Sequence, residues 1–492
     1  MTFKQPWRCA CCDTLPNGAR RGLLGAAVSL VGGGLLSACA AAPGAAVPAG
    51  PNFVLRGGTV VTMDSASGDL QRGDVHVVGG RIAALGPRVD AVGAQTVDAT
   101  GMIVMPGFVE THWHLWNSLL KNMLRPGAEY FAVKGALIDH HQPLDYYRAN
   151  RLALLEALNT GITTVHNFAH NTRTPEHVDA ELRAMQESGL RGRYSYGYID
   201  PMPADRVMPL DDLRRVQREW FASGRAGPLL QLGVALRGDQ GSTRAVFRTE
   251  LDAARELGLP KVMHIGQSQR FRVKVAELVN LGFIDRETLL VHGLAVTAED
   301  RAAIASLGLS LSYAPQSELR LQADGDFRTQ LLLAQAARIN LCLSIDATSL
   351  GAVSMFDAMH TLWNLGVPWN GTETEKLPRL DFSQCLAMAT LNGARALGMA
   401  DRVGTLAVGK RADIVMLRAT DLNMTPLGEV QTALVRSATP ANVDTVIVDG
   451  RFLKRGGRLL NVDVAQVVAE ANQSLDAIRL RAGGAWAPKR TG

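Results

Sequence analysis

The stretch Met105-Pro106-Gly107-Phe108-Val109-Glu110-Thr111-His112-Trp113-His114 decides the fold. Its Pro-Gly pair punctuates the chain, and the seven residues after it read as a strand that ends in two histidines. Side chains two apart on a strand share a face. His112 and His114 therefore point the same way and Trp113 points the other. Seven more apolar runs follow, so that strands are expected over 108–114, 162–168, 193–199, 229–236, 260–265, 288–293, 309–314 and 341–346. Amphipathic helices are expected between several of them, over 146–159, 175–188, 243–257 and 298–306. Near-continuous apolar strands alternating with helices indicate a parallel sheet covered on both faces. Eight such units in about 240 residues match an α/β fold of the (β/α)8 TIM-like barrel type. An open doubly wound sheet would show a Gly-rich phosphate turn after its first strand, and this sequence has none there.

Outward from the barrel, on both sides, the rhythm changes to short strands joined by Gly-rich turns such as Gly57-Gly58, Gly79-Gly80 and Asp449-Gly450. Residues 52–105 and 401–460 together are read as a small β-sandwich domain built from both chain ends. Residues 106–400 are the barrel, and 461–492 hold a C-terminal helix and tail.

Residues 1–50 differ from all of this. Arg20-Arg21 precede an apolar run over 22–36, too short for the ~20 residues of a membrane span. A basic pair before such a run resembles a twin-arginine export signal. The run ends in Leu36-Ser37-Ala38-Cys39, which resembles a bacterial lipobox with Cys39 as the lipidation site. The expectation is a signal peptide over 1–38 and a Pro/Ala-rich tether over 39–51. The protein would be exported to the periplasmic side and lipid-anchored. Ala40 after the Cys points to the outer membrane if the host is Gram-negative. Cys9, Cys11 and Cys12 fall in the removed segment, which leaves only Cys342 and Cys385 besides Cys39 and no disulfide framework. With 47% hydrophobic and 20% charged residues the chain is globular. A net charge of +5 with no Lys/Arg block argues against a nucleic-acid surface. The expected partners are a small-molecule substrate and, through the lipid anchor only, a membrane; a homo-oligomer is compatible with the sequence.

Function in a barrel of this type sits at the C-terminal strand ends. Strand one ends in His112 and His114, strand five in His264, strand six carries His292, and strand eight ends in Asp346. With 11 histidines in 492 residues, about 0.2 would fall on eight strand ends by chance. Three ends carry one, so a shared role outweighs three unrelated structural histidines. Imidazoles with a carboxylate suit a borderline divalent ion, zinc first, with iron or manganese as alternatives. Such a site with an open position activates water for hydrolysis.

The quoted run also resembles the "PGF-x-(N/D)-x-H-x-H" signature of the amidohydrolase superfamily. His264 in VMHIG, His292 in LLVHG and Asp346 in LSIDA agree in order. So does Val403-Gly404-Thr405-Leu406 through Gly409-Lys410-Arg411-Ala412-Asp413-Ile414-Val415, which is similar to the segment that returns such chains to their β domain. The resemblance covers roughly residues 52–455 and is nearest to the mononuclear deaminase and chlorohydrolase branch. It implies His112, His114, His264 and Asp346 as ligands of one metal, and His292 with Asp346 as catalytic groups. The binuclear branches carry a Lys or Glu around strand four, and residues 229–236 have neither.

One departure bears on mechanism. Deaminases of this branch read H-x-x-E after strand five, with the Glu moving protons; here the run is His264-Ile265-Gly266-Gln267. A carboxamide cannot shuttle a proton at neutral pH. The sequence therefore ranks hydrolysis of an amide, lactam, carbamate or urea-like C–N bond first. Deamination or dechlorination of a heteroaromatic compound comes second, and an inactive metal-binding lipoprotein third. Gln267, Trp116, His166, His170, Tyr313 and Gln316 are the expected substrate contacts, with Phe131, Trp113, Trp363 and Trp369 as apolar rim candidates.

Overall fold

The computed structural model describes residues 51–266, 272–321 and 326–487. The expectations for the signal peptide, for Cys39 and for Gln267 lie outside these residues. Five strands lead the chain: β1 (Asn52–Val60), β2 (Leu70–Val78), β3 (Arg81–Gly86), β4 (Gln95–Asp98) and β5 (Met102–Pro106). Eight follow at intervals: β6 (Phe108–Trp113), β7 (Ile162–Ala169), β8 (Arg191–Tyr196), β9 (Leu230–Leu236), β10 (Lys261–His264), β11 (Thr288–Val291), β12 (Ser310–Tyr313) and β13 (Asn340–Leu343). The last four are β14 (Ile414–Arg418), β15 (Val443–Val448), β16 (Arg451–Arg455) and β17 (Arg458–Leu459).

β6 to β13 pair in sequence order, all parallel, in one eight-stranded sheet. Each lies within a few residues of its expected position, because a strand buried on both faces has a long apolar signature. A parallel bridge between Trp113 and Asp346 brings the first and last strands together and nearly closes the barrel. Two backbone bonds make this junction: His114 N–H donates to Asp346 O, and Asp346 N–H donates to His112 O, both at 2.9 Å.

The other nine strands form one mainly antiparallel sheet, in the order β17-β16-β15-β14-β5-β1-β2-β3 with β4 beside β1. This sheet curls on itself. Phe53 in β1 and Phe452 in β16 are four strands apart, which would be about 19 Å in a flat sheet, yet their ring centroids are 4.9 Å apart. Register shifts in β1 between Leu55 and Val60 supply the bend. The turns also meet: a Cβ on Gly80 would lie 2.6 Å from Asp449 O. The result is a sandwich-like core of Phe53, Leu55, Val75, Val77, Ile414 and Ile447, built from both chain ends.

The chain crosses from this sheet to the barrel at Gly107, where a Cβ would meet the Thr163 side chain at 2.1 Å, so glycine is required. A buried ion pair locks the two parts at this crossing. Arg191 of β8 donates through Nε and Nη2 to the Asp413 carboxylate at 2.8 and 3.0 Å, and through Nη2 to Asp449 at 3.1 Å. Asp413 also accepts from Asp449 N–H at 2.8 Å. Removing one partner of such a pair strands the other charge, at a cost of about 3–5 kcal/mol. Arg191→Ala is expected to lower the thermal unfolding midpoint clearly. Arg191→Ala with Asp413→Ala should recover part of that loss, and equal or greater damage in the double variant would contradict this reading.

Candidate metal centre

β6, β10 and β13 deliver their end residues to one point above the barrel axis. His112 Nε2 lies 3.2 Å from Asp346 Oδ1 and 3.3 Å from His264 Nε2, and His114 Nε2 lies 3.3 Å from Asp346 Oδ1. Donor atoms at ~2.0–2.1 Å around one tetrahedral ion are about 3.3 Å from each other. The spacing of these side chains is therefore that of a ligand set. Among the described residues two groups can hold an ion, His112-His114-His264 and His112-His292-Asp346. They share His112, which makes them one site.

Electrostatics suit the same role. Burial pushes the His112 imidazole down to about 3, and burial with the neighbouring histidines holds His264 well below its usual value, so both keep lone pairs at neutral pH. Burial opposes ionisation of Asp346, but its contacts with His112 and His114 outweigh it and hold the carboxyl far below the usual range. Ser317 Oγ donates to the other oxygen of Asp346. His114 Nδ1 pairs with Phe168 O at 3.1 Å, so its Nε2 faces the centre. Beneath the ligands, Glu110 accepts from His112 N–H at 2.7 Å, Ile345 N–H at 3.3 Å and His166 N–H at 3.2 Å. Burial raises Glu110 to about 8. His292 and Asp346 have φ of 73° and 63°. This left-handed region is costly for residues other than glycine and recurs at functional sites.

A cavity of about 160 Å³ opens onto the centre, lined in part by His114, His264, Asp346, His170, Tyr130 and Tyr198. Phe131, Lys134, Asp200 and Gln240 complete its wall. His170 stands where the sequence places it, stacked on His114 with centroids 4.2 Å apart. Trp116 is buried behind it and donates through Nε1 to His170 Nδ1 at 2.9 Å, so it braces the wall rather than facing the cavity.

Three expected substrate contacts are corrected. His166 lies inside the barrel with both nitrogens taken, Nδ1 by Thr111 O and Nε2 by Ser195 Oγ, each at 2.7 Å. Tyr313 is buried against Phe327. Gln316 Oε1 accepts from Ala352 N–H at 3.0 Å and ties down the loop after β13. All three face the core or another loop: strand periodicity groups His166 and Tyr313 with their neighbours two residues away but does not say what that face meets, and Gln316 lies in the helix Pro315–Leu321, beyond its strand. Of the apolar candidates Phe131 lines the cavity. Trp113 is buried and bonded to Thr348, Trp363 stacks on Phe382, and Trp369 is exposed away from it. The sequence reading missed Tyr130 and Lys134 on the helix Tyr130–Leu137, Tyr198 and Asp200 beyond the end of β8, and Gln240 on the short helix Gly238–Gly241, all outside the barrel strands from which the site was read. It also missed Glu318, although a Glu three residues after Ala314-Pro315 is a visible polar signal beside a strand end.

The description "Amidohydrolase family" matches residues 103–453. The chain belongs to the amidohydrolase family. It is thus a metal-dependent hydrolase acting on C–N bonds, and the convergent donor set fits the divalent ion such an enzyme uses. A 5-methylthioadenosine/S-adenosylhomocysteine deaminase of Desulforudis audaxviator is 30% identical over 82% of this chain and 94% of the relative. A 5'-deoxyadenosine deaminase of Methanosarcina mazei is 26% identical over 87% of this chain and 99% of its own. An adenosine deaminase from Xanthomonas campestris, solved with bound zinc, superposes with TM-score 0.77 at 26% identity, covering 88% of this chain and all of that one. The atrazine chlorohydrolase of Arthrobacter aurescens shares the fold, with TM-score 0.72 at 20% identity over 86% of this chain and 99% of its own.

A family member with this single cluster should bind one equivalent of divalent metal, and elemental analysis of metal-loaded protein checks the number. His112→Ala and His264→Ala should each lose most of it. Two tightly held equivalents would contradict a single centre.

Proposed function

We propose that this amidohydrolase removes an exocyclic amino group from a heteroaromatic ring, with a 6-aminopurine nucleoside as the first substrate class to test, and that its ion is zinc. The observation that carries the reading is the run of relatives named as deaminases of adenosine derivatives, matched across 94–99% of their lengths in the two described above. Aromatic walls in the cavity, Tyr130, Tyr198 and His170, suit a flat ring. The cavity is smaller than the ~300–1,000 Å³ that buries a drug-sized ligand. It therefore takes the reacting ring, and the remainder of a larger substrate extends along the rim past Phe131 and Lys134.

The reaction adds one water across the ring carbon and releases ammonia. The water oxygen bonds to carbon and the C–N bond breaks. One water proton leaves on the departing nitrogen and the other stays on the ring nitrogen. A divalent ion in the centre supplies the Lewis acidity that activates water. The chain must carry the protons. Gln267 cannot, since its amide does not ionise. Asp346, kept ionised and braced by Ser317, is placed to take a proton, and His292 to hold or return one.

Gln267 also favours a second reading, hydrolysis of an amide or urea-like carbonyl, in which no ring nitrogen needs a proton. The two separate in a single assay. Ammonia release from adenosine, 5'-deoxyadenosine or 5-methylthioadenosine supports deamination, and turnover confined to amides, lactams, carbamates and ureas supports the alternative. With either substrate, Asp346→Asn should abolish turnover even where metal is retained. Gln267→Ala should cost no more than about tenfold, the worth of one ordinary hydrogen bond. A loss near a thousandfold in Gln267→Ala with metal retained would return the proton path to the loop after β10.

We further propose that the protein is exported through the twin-arginine-like signal and anchored by lipid at Cys39, on the strength of Arg20-Arg21 and Leu36-Ser37-Ala38-Cys39. It should partition with membranes in its host, and Cys39→Ser should change its processing or release it. Identical fractionation and migration of wild type and variant would refute the anchor.

A further inference from the structure

Glu318 is a carboxylate that the fold has no packing reason to keep. It lies in the helix Pro315–Leu321 that follows β12, with 1% of its surface exposed. Its Oε1 is 3.3 Å from His292 Nδ1, and its Oε2 meets no hydrogen-bond partner among the described residues. Two buried carboxylates with a structural task are held on both sides by donors. Asp413 is gripped by Arg191 and a backbone N–H, and Glu181 accepts from both Tyr194 and Asn150. An ion left half-satisfied in the interior destabilises a protein unless the site uses it.

The neighbouring residue strengthens the case. Ser317 donates to Asp346, so two consecutive side chains of one helical turn reach the two groups expected to move protons. His292 is also held by its backbone and by one face of its ring. It sits at φ 73°, its N–H donates to Ser312 O at 3.0 Å, and its ring stacks on His264 with centroids 5.2 Å apart. Stacking by itself does not choose which nitrogen carries the proton. A carboxylate at Nδ1 removes that choice, because it accepts and cannot donate when ionised.

We propose that Glu318 is a positioning residue of the reaction, accepting the Nδ1 proton of His292 and thereby fixing the tautomer and ring orientation of that imidazole beside the metal centre. The proposal rests on the hydrolytic reading of the site but not on which C–N bond is cut. It agrees with the directions of titration: burial raises Glu318 to about 7, and against the effect of its own burial His292 is raised by the Glu318 hydrogen bond and by Asp346. It also supplies a role for a charge in a chain whose Gln267 cannot move protons. Outer partners of this kind, a carboxylate holding a histidine, are typically worth 10–100-fold when removed.

The test uses zinc-loaded full-length protein and the isosteric Glu318→Gln with the apolar Glu318→Leu. Imidazole nitrogen NMR, with His292→Asn to assign the signal, reads the tautomer without any substrate. Wild type should show His292 protonated at Nδ1, and Glu318→Leu should shift the population toward the Nε2–H form. With adenosine or 5-methylthioadenosine as probe, Glu318→Leu should lower kcat about 10–100-fold, with KM changed less than threefold and metal content unchanged. Glu318→Gln, which retains an acceptor oxygen, should fall between it and wild type. The thermal midpoint of each variant is measured alongside, so that a kcat loss caused by lost stability is recognised. An unchanged tautomer in Glu318→Leu, or full kcat with metal retained, overturns the proposal. So does a kcat loss that tracks only a fall in stability. If neither probe is turned over, the deaminase reading fails while the tautomer measurement still decides the role of Glu318.

Discussion

The junction of the first and last barrel strands is the constraint on which the rest depends. The bonds His114 N–H to Asp346 O and Asp346 N–H to His112 O nearly close the barrel, and the same three residues carry three of the four ligand side chains of the metal centre. Closure and ligand assembly are one event. Strand pairing fixes Asp346 opposite the His-x-His pair, and strand periodicity then points both imidazoles and the carboxylate inward. Glu110 reinforces the seam from below, tying the backbones of β6, β7 and the segment after β13 through one carboxylate.

Around this seam several carboxylates have been given different protonation states by their surroundings alone. Asp346 lies against His112 through one oxygen, accepts from Ser317 through the other, and stays ionised. Glu110 and Glu318 are buried and drift upward, to about 8 and about 7. The first is offset by three backbone donors, the second chiefly by an imidazole. Separated acid strengths within a few ångströms are what hydrolysis with proton return needs, one group taking a proton while another holds one. The histidines follow the same logic in reverse. Burial keeps His112 and His264 neutral and ligating, while carboxylates favour the charged form of His292.

The relatives change the weight of the functional reading without changing the site. From residues alone, Gln267 argued for carbonyl hydrolysis, because the group that moves protons in similar deaminases is missing. The adenosine-deaminase-like relatives pull toward ring deamination. The two are compatible if proton handling has moved to residues contributed by the strand-six and strand-seven ends, where His292, Ser317 and Glu318 meet. The substrate then has to be read from the cavity wall, whose Tyr130 and Lys134, Tyr198 and Asp200, and Gln240 come from three separate segments of the chain.

The sequence by itself determined the eight barrel strands, the sheet made from both chain ends and the four residues that converge on the centre. Each of these rests on local periodicity or on a histidine at a strand end, and such signals survive in one dimension. Tertiary structure alone decided which polar residues face the cavity. His166 and Tyr313 look like rim residues by position, yet His166 is consumed by Thr111 and Ser195 inside the barrel and Tyr313 packs against Phe327. Glu318 looks like a helix-surface acid, yet it turns inward to His292. The reason is physical: a strand's two-residue repeat shows that its faces alternate but not whether a face meets the core or the cavity, and the helix after it follows the packing of its neighbours, which no stretch of its own sequence contains.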